Sequence, residues 1–268
     1  MTDPVLAPLR DGELAVDGRL VDATNATLLC TIVRPNTSDD GGDIKQMRCV
    51  YKPIAGERPL WDFPDGTLGQ REVAAFLVSE AAGWHVVPPT VFRDGPFGPG
   101  MCQLWVDRDG TALVHVVPPD RIPAGWMRVL DAVDGMGKPV VLTHADDPRL
   151  RRMALFDVVV NNADRKGGHV LVDGSGAVHG VDHGVCFHPE PKLRTVLWGW
   201  GGRPLTDDER RTLRTLLGAL DGELGVGLGD LLSAEEIDAT GARVEDLLRV
   251  GRLPRPNPVW PPIPWPPF

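Results

Sequence analysis

Two acidic residues, Asp164 and Asp182, lie where their spacing suits phosphoryl transfer. Asp164 belongs to the polar segment "NNADRKGGHVL", and Asp182 follows "HVLVDGSGAVHGV", which predicts a strand, a glycine turn and a second strand. Such a hairpin would return Asp182 to the Asp164 loop. An acid on a loop can orient an acceptor hydroxyl, and a second acid can bind Mg²⁺ beside the phosphates. Taken alone, the same residues are equally well explained as turn formers.

A lysine and a glutamate upstream extend this interpretation. Lys52 ends the strand-like run "MRCVYK", and Glu72 lies in "LGQREVAAFLVSEAAGW", whose apolar spacing predicts a helix. A strand lysine paired with a glutamate on the next helix orients nucleotide phosphates in kinases. The alternative is a surface lysine at a strand end. In this order along the chain, Lys52, Glu72, Asp164 and Asp182 together favour nucleotide chemistry.

The elements that must position these residues change in type along the chain. Strand-like runs and one helix come first, a Pro-rich connector follows, and most later segments are helix-like. This order predicts an α+β protein with two lobes and a ligand cleft between them. We expect an N-lobe at 1–106, with an antiparallel sheet and nucleotide-phosphate binding, and a mainly helical C-lobe at 107–268 with the catalytic and metal-binding loops.

The last segment, "GRLPRPNPVWPPIPWPPF", is too rich in proline to be a helix. It fits either an extended strap against the body or a polyproline ligand for another protein. We favour the strap because tryptophan and phenylalanine so placed would bury well.

Composition limits the classes of partner. The chain of 268 residues has a net charge of −9, which argues against nucleic acid and anionic membranes as partners. The four cysteines lack metal-site spacing, and neither a signal peptide nor an apolar span is evident, so a cytoplasmic protein is expected.

The segment "NNADRKGGHVL" followed by "GVDHG" resembles the catalytic and metal-binding loops of the phosphatidylinositol 3-/4-kinase-like group and of HipA-type kinases. The chain as a whole resembles an actinobacterial subgroup of these atypical kinases, through "VYKP", "GERPLWDFPDGTL", "VVPPTV" and the Pro/Trp tail. The resemblance implies a bilobal protein-kinase-like fold. It also implies that Lys52 contacts the nucleotide phosphates, that Glu72 orients Lys52, that Asp164 is the catalytic acid, and that Asp182 is the main Mg²⁺ ligand.

Further nucleotide contacts follow from the same resemblance. Thr24, Asn25 and Thr27 lie where the phosphate-covering loop is expected, although this loop is not glycine-rich. Gln103 and Trp105 fall where the adenine-contacting hinge is expected.

One metal position departs from the family pattern. His169 stands where the family usually has Asn, five residues after the catalytic Asp. A neutral imidazole prefers softer ions than Mg²⁺, so we expect His169 to be an auxiliary ligand for Mg²⁺ or Mn²⁺. The alternatives are that Asp182 alone holds the ion or that catalysis is impaired. Lys166 would compensate by placing positive charge near the transferred group.

The predicted function is therefore that of an ATP-dependent kinase that transfers the γ-phosphoryl group to a hydroxyl. A protein Ser/Thr or a small molecule is favoured over a phosphoinositide as the acceptor, because the net charge is −9. The alternatives are a catalytically weak module that binds a nucleotide or a partner, and an adenylyl transferase on the same fold.

Overall fold

The N-terminal part of the protein is built on a five-stranded sheet. The computed structural model describes residues 4–20, 25–33, 46–58, 60–63 and 67–268. All neighbouring strands of this sheet are antiparallel, in the order β1-β2-β3-β5-β4. The strands are β1 (Glu13–Arg19), β2 (Leu28–Val33), β3 (Gln46–Pro53), β4 (Thr90–Gly95) and β5 (Gly98–Leu104).

Strand β3 separates a core face from a cleft face. Cys49 and Tyr51 are fully buried and pack in one core with Leu9 of helix α1 (Leu6–Asp11). Because successive side chains of a strand point to opposite faces, Val50 and Lys52 lie on the other side. There they line a cleft.

Helix α2 (Leu68–Ala81) packs against β4 and β5 and carries Glu72. It ends at Ala81, and Gly83 follows the C-cap residue Ala82 with a φ of +64°, the left-handed conformation that glycine adopts readily. Most residues in the helical turns before and after Glu72 are buried, so Glu72 has a fixed position relative to the sheet.

The C-terminal part combines helices with two small sheets. The predicted α+β class is confirmed, and within the described residues no helix is long and apolar enough to cross a bilayer. The elements are β6 (Val114–Val117), β7 (Trp126–Val133), β8 (Pro139–Ala145), α3 (Pro148–Val159), β9 (Val170–Val172), β10 (Val178–Gly180), α4 (Asp207–Leu220), α5 (Glu223–Gly229) and α6 (Ala234–Val250).

Two helix starts and one hairpin have the structure that their local sequence favours. Thr206 and Glu209 form a capping box on α4, and Ser233 and Glu236 form one on α6. Strands β9 and β10 pair antiparallel, and Asp182 follows directly after this hairpin. The three-stranded sheet β6-β8-β7, by contrast, did not follow from the sequence, where only a connector at 117–126 was evident.

The Pro-rich tail lies against the body of the protein. The backbone N–H of Thr195 and the indole N–H of Trp198 donate to the carbonyl of Pro262, at 3.0 and 2.8 Å. The backbone N–H of Gly167 donates to the carbonyl of Pro267 at 2.8 Å. The tail therefore contacts the loop that carries Asp164. The division into lobes at residue 106 stays a prediction.

Candidate active site

Lys52 lies between two carboxylates. Its Nζ donates to Glu72 Oε1 at 2.6 Å and to Asp182 Oδ1 at 2.8 Å. Burial alone would lower the pKa of Lys52, but the carboxylates of Asp182 and Glu72 outweigh it and raise the pKa. The charge of Lys52 is in turn the main cause that holds the pKa of Asp182 well below its usual range. At neutral pH Lys52 is therefore a cation and Asp182 an anion.

Glu72 connects the sheet to the segment after Asp182. Its Oε2 accepts a hydrogen bond from the backbone N–H of His183 at 3.0 Å, while Oε1 holds Lys52. Asp182 has a φ of +63°, a left-handed conformation that aspartate tolerates better than most residues. The strand lysine and the Asp182 turn are thus fixed by one buried side chain.

A buried ion pair anchors the loop that carries Asp164. Arg165 and Asp157 are both completely buried, with Nη2 and Oδ1 2.9 Å apart. The same guanidinium donates to His183 Nε2 at 2.7 Å. Asn162 donates to Asp157 Oδ1 at 3.0 Å and accepts from the backbone N–H of Asp164 at 2.9 Å. This network joins the Asp164 loop to the segment that carries Asp182.

No role for Asp157, Arg165 or His183 followed from the sequence, although one signal was present. Asp157 interrupts the apolar run "MALFDVVV" of helix α3, and an acid buried there needs a partner. Which residue would supply that partner depends on how the loop after α3 folds back. Spacing along the chain does not determine it.

Asp164 faces the cleft beside Lys166. The Lys166 Nζ is 3.2 Å from Asp164 Oδ2, and about a third of the Asp164 side chain, 32%, is exposed. Burial raises the pKa of Asp164, and the positive charge of Lys166 opposes the rise. A carboxylate with a raised pKa is a better proton acceptor than a fully solvated one.

His169 lies next to Asp182, as a metal-binding pair requires. Its Nε2 is 3.5 Å from Asp182 Oδ2. Burial lowers the pKa of His169 to about 4, so the imidazole is neutral at pH 7 and has a free electron pair for a cation. Among the described residues no group of three or more His, Cys, Asp or Glu side chains has metal-site geometry. An ion held by this pair would take its other ligands from water and phosphate oxygens.

The cleft that contains these groups has a volume of about 420 Å³. Asn25, Thr27, Gln103 and Trp105 all line it, and Thr24 lies outside the described residues. The Gln103 side chain is held by a hydrogen bond from its Nε2 to Thr90 Oγ1 at 2.8 Å. Every predicted site residue that the structure describes lines this cleft except Glu72, which contacts it through Lys52.

Comparison with solved structures supports a kinase-like fold. The Golgi casein kinase superposes with a TM-score of 0.53 at 12% identity, over 94% of this chain and 78% of that chain. The proinflammatory kinase CtkA of Helicobacter pylori gives a TM-score of 0.41 at 10% identity, over 91% of this chain and 94% of that chain, which is too low to support an inference. The predicted fold class is confirmed by the first of these similarities.

A curated protein is much more similar to this chain in sequence than these two kinases are. No family model matches the chain. It is 50% identical over 278 aligned positions to protein Rv2133c of Mycobacterium tuberculosis, which covers 100% of this chain and 97% of that protein. The chain therefore belongs to the family of protein Rv2133c and has a kinase-like fold.

Proposed function

We propose that the protein is an ATP-dependent phosphotransferase of the atypical kinase kind, as its resemblance to the phosphatidylinositol 3-/4-kinase-like and HipA-type group implies. One observation carries this proposal. Lys52, bound to Glu72, lies in the same cleft as Asp164 and Asp182, and the charges and distances suit phosphate binding and hydroxyl activation.

Each residue has a defined part in the proposed reaction. Lys52 binds phosphate oxygens of ATP while Glu72 holds its ammonium group in place. Asp164 accepts the proton of the acceptor hydroxyl. The hydroxyl oxygen forms a bond to the γ-phosphorus, the bond from this phosphorus to the β,γ-bridging oxygen breaks, and its electron pair leaves with ADP. Lys166 places a positive charge beside the group that moves.

Asp182 and His169 would hold a divalent cation. The carboxylate supplies the negative charge that a hard cation requires, and the neutral imidazole adds a second, weaker donor. A bound Mg²⁺ or Mn²⁺ would neutralise charge on the phosphates. Lys52 and Asp182 are ion-paired with each other. Lys52 must therefore give up part of this contact to bind phosphate, and Asp182 must give up part of it to bind the metal.

The same ion pair favours a second candidate function. In the observed state the phosphate-binding lysine and the metal ligand neutralise each other, 2.8 Å apart. A protein that kept this pair would bind a nucleotide, or a partner, without transferring phosphate. Transfer of AMP by the same residues is the other alternative, and its product differs in mass from a phosphorylated one.

Metal-dependent ATP turnover tests the proposal. We expect Asp182→Asn to abolish turnover and Asp164→Asn to slow it by several orders of magnitude while ATP still binds, because only the proton acceptor is lost. We expect His169→Asn to retain activity or to increase it with Mg²⁺. Asp208→Asn is the matched control, because that carboxylate is exposed on α4 and does not line the cleft.

The outcomes separate the candidate functions. Tight ATP binding without turnover in the parent protein supports the binding module. A product that gains adenylate, seen by mass spectrometry, supports adenylyl transfer. Loss of all activity in a folded His169→Asn protein contradicts the auxiliary role of this histidine.

A further inference from the structure

A second pocket adjoins the cleft and shares its reactive groups. Asn25, Lys52, Asp164 and Asp182 line both spaces. The other walls differ, because the cleft is completed by residues of β3 and β5, and the second pocket by the start of α2 and the segment after Asp182. With a nucleotide in the cleft, a molecule in the second pocket would lie beside the same Asp164 carboxylate.

The size of the second pocket limits what it can hold. Its volume is about 190 Å³, whereas pockets for drug-sized ligands measure roughly 300–1,000 Å³. Leu60 and Leu68 give it apolar walls beside its charged groups. The space therefore suits a small molecule or a single side chain.

Glu57 is a charged group of the second pocket that the proposed reaction does not use. Its Oε1 accepts a hydrogen bond from the backbone N–H of Gly69 at 2.7 Å, and its Oε2 accepts one from Leu68 at 3.2 Å. These bonds hold the carboxylate at the N-terminus of α2, where Thr67 provides no side-chain cap. An ionised carboxylate has about four acceptor sites, so capacity for a ligand remains.

Glu57 also lacks a cationic partner. It makes no ion pair with any residue that the structure describes, and the Nζ of Lys52, the cation of this pocket, is bonded to Glu72 and Asp182 instead. Burial raises the pKa of Glu57 despite its two backbone hydrogen bonds, and the negative charge of Glu72 adds to the rise. A ligand that brings a positive charge would stabilise this carboxylate.

Negative charge dominates the lining of the second pocket. Among the described residues, the titratable groups that line it are one ammonium group and four carboxylates: Lys52, Glu57, Glu72, Asp164 and Asp182. Lys166 lines the cleft but not this pocket. Because like charges repel strongly where water is partly excluded, an anionic acceptor is disfavoured and a cationic one is favoured.

We propose that the second pocket binds the acceptor, a small hydroxyl compound that carries an ammonium group, and that Glu57 binds this ammonium group while Asp164 receives the hydroxyl proton. The products are a phosphate monoester of the amino alcohol and ADP. The inference rests on the proposed function and specifies its substrate class. Glu57 is then a specificity-determining residue. No single standard side chain carries both a hydroxyl and an ammonium group, so a small molecule is favoured over a protein.

Labelled ATP and a fractionated cell extract test this inference. The intact protein is incubated with Mg²⁺ or Mn²⁺ and with four fractions of mycobacterial extract: proteins, and small molecules retained by a cation exchanger, by an anion exchanger or by neither. We expect γ-phosphate label in the cation-exchanger fraction, above the level of an Asp164→Asn blank. Acetylating the amines of that fraction beforehand should abolish the label, because the acceptor loses its ammonium charge and keeps its hydroxyl.

Two variants connect the result to the structure. Glu57→Gln keeps an oxygen for the N–H groups of α2 and removes the charge, and Leu60→Trp fills the second pocket. We expect each to lower the ratio of acceptor phosphorylation to ATP hydrolysis by about 10- to 100-fold, with the acceptor KM rising in Glu57→Gln, since one charged hydrogen-bonding site is lost.

Glu209→Gln is the matched control for Glu57→Gln. Glu209 accepts a backbone hydrogen bond at the start of another helix, α4, and lines neither the cleft nor the second pocket. The ratio for this control should equal that of the parent, because the same change of charge is made away from the proposed acceptor.

Opposite outcomes contradict the inference. Label in any other fraction, label that survives acetylation, or no label while ATP is still hydrolysed overturns the proposed acceptor class and leaves the proposed ATP chemistry standing. An unchanged ratio in Glu57→Gln and Leu60→Trp, with melting temperatures equal to the parent's, removes the acceptor from the second pocket. Absence of both ATP binding and hydrolysis rejects the proposed function itself, and the inference with it.

Discussion

At the scale of single residues, the buried pair of Asp157 and Arg165 holds the catalytic loop in place. Both side chains are inaccessible to solvent. We expect Asp157→Ala to lower the free energy of unfolding by about 3–5 kcal/mol, because Arg165 is left as an uncompensated buried charge. Urea denaturation measures the change. The exposed pair of Arg211 and Asp208 is the control, and Asp208→Ala should change stability by less than about 1 kcal/mol. A similar small loss in both variants would contradict the anchoring role.

Lys52 is the residue whose removal should affect nucleotide affinity most directly. We expect Lys52→Ala to weaken ATP binding by about 10- to 100-fold, because a charged hydrogen-bond donor to the phosphates is lost. Calorimetric titration with ATP and Mg²⁺ measures the dissociation constant. Unchanged affinity in a folded Lys52→Ala protein would place the phosphates elsewhere. Lys138→Ala, on the exposed hairpin between β7 and β8, is the matched control.

The contacts that could be predicted from the sequence are those between neighbouring elements. Lys52 and Glu72 lie on a strand and the helix that follows it, and they meet at 2.6 Å. The contact of Arg165 with His183 depends on how distant loops pack. No periodicity or motif encodes such contacts, so they required the structure.

At the scale of elements, Glu209 joins two helices. It completes the capping box of α4 and accepts hydrogen bonds from Arg151 of α3, the shorter at 2.6 Å. Burial would raise the pKa of Glu209, but the hydrogen bonds from Arg151 and from the Thr206 N–H outweigh it and lower the pKa. Because the folded state favours the ionised form, its contribution is present above the ordinary value of 4.5 and is lost as the pH falls through the lower folded-state value.

A variant of Glu209 tests this pH dependence of stability. We expect Glu209→Gln to lower the free energy of unfolding by about 1–2 kcal/mol at pH 7, because two charged hydrogen bonds are weakened. The difference from the parent should shrink as the pH falls below 4.5. Urea denaturation from pH 7 to 3 measures this. A difference that stays constant over the whole range would mean that the charge of Glu209 contributes nothing.

The elements themselves were predicted unequally. Helices α4 and α6 carry capping boxes, so their starts can be seen in the sequence. The sheet β6-β8-β7 was missed for physical reasons. Strand β7 is mostly exposed and contains an irregularity between Arg128 and Leu130, which breaks the alternation that marks a strand. The prolines and glycine at 117–126 then indicated only a connector.

At the scale of the whole molecule, the cleft is built by parts that are distant in the chain. Lys52 comes from the five-stranded sheet, while Asp164 and Asp182 come from loops after α3 and β10. Arg71, next to Glu72 on α2, adds a link to α6 through Glu236 and donates to the carbonyl of Cys186 at 2.8 Å. The order of elements predicted two parts with a cleft between them. The contact between α2 and α6 could not be predicted, because the two helices are far apart in the chain and no motif connects them.

A ligand that binds such a cleft should stabilise the whole chain. A ligand at 100 times its dissociation constant raises the free energy of unfolding by about 2.7 kcal/mol, which corresponds to a rise of roughly 5 °C or more in melting temperature for a domain of this size. We expect this rise with ATP and Mg²⁺ together. Chelation of the metal should reduce it, because Asp182 then faces the phosphates without an intervening cation and the two repel each other.

Scanning calorimetry of the parent and two variants distinguishes the metal from the nucleotide. In Asp182→Asn the rise with ATP should no longer depend on Mg²⁺, because the charged ligand that holds the ion is gone. In the control Asp208→Asn it should depend on Mg²⁺ as in the parent, because that carboxylate is exposed on α4. An equal rise in the parent with and without chelator would remove Asp182 from metal binding, and the Lys52–Asp182 ion pair would then be a structural contact instead of one that opens for catalysis.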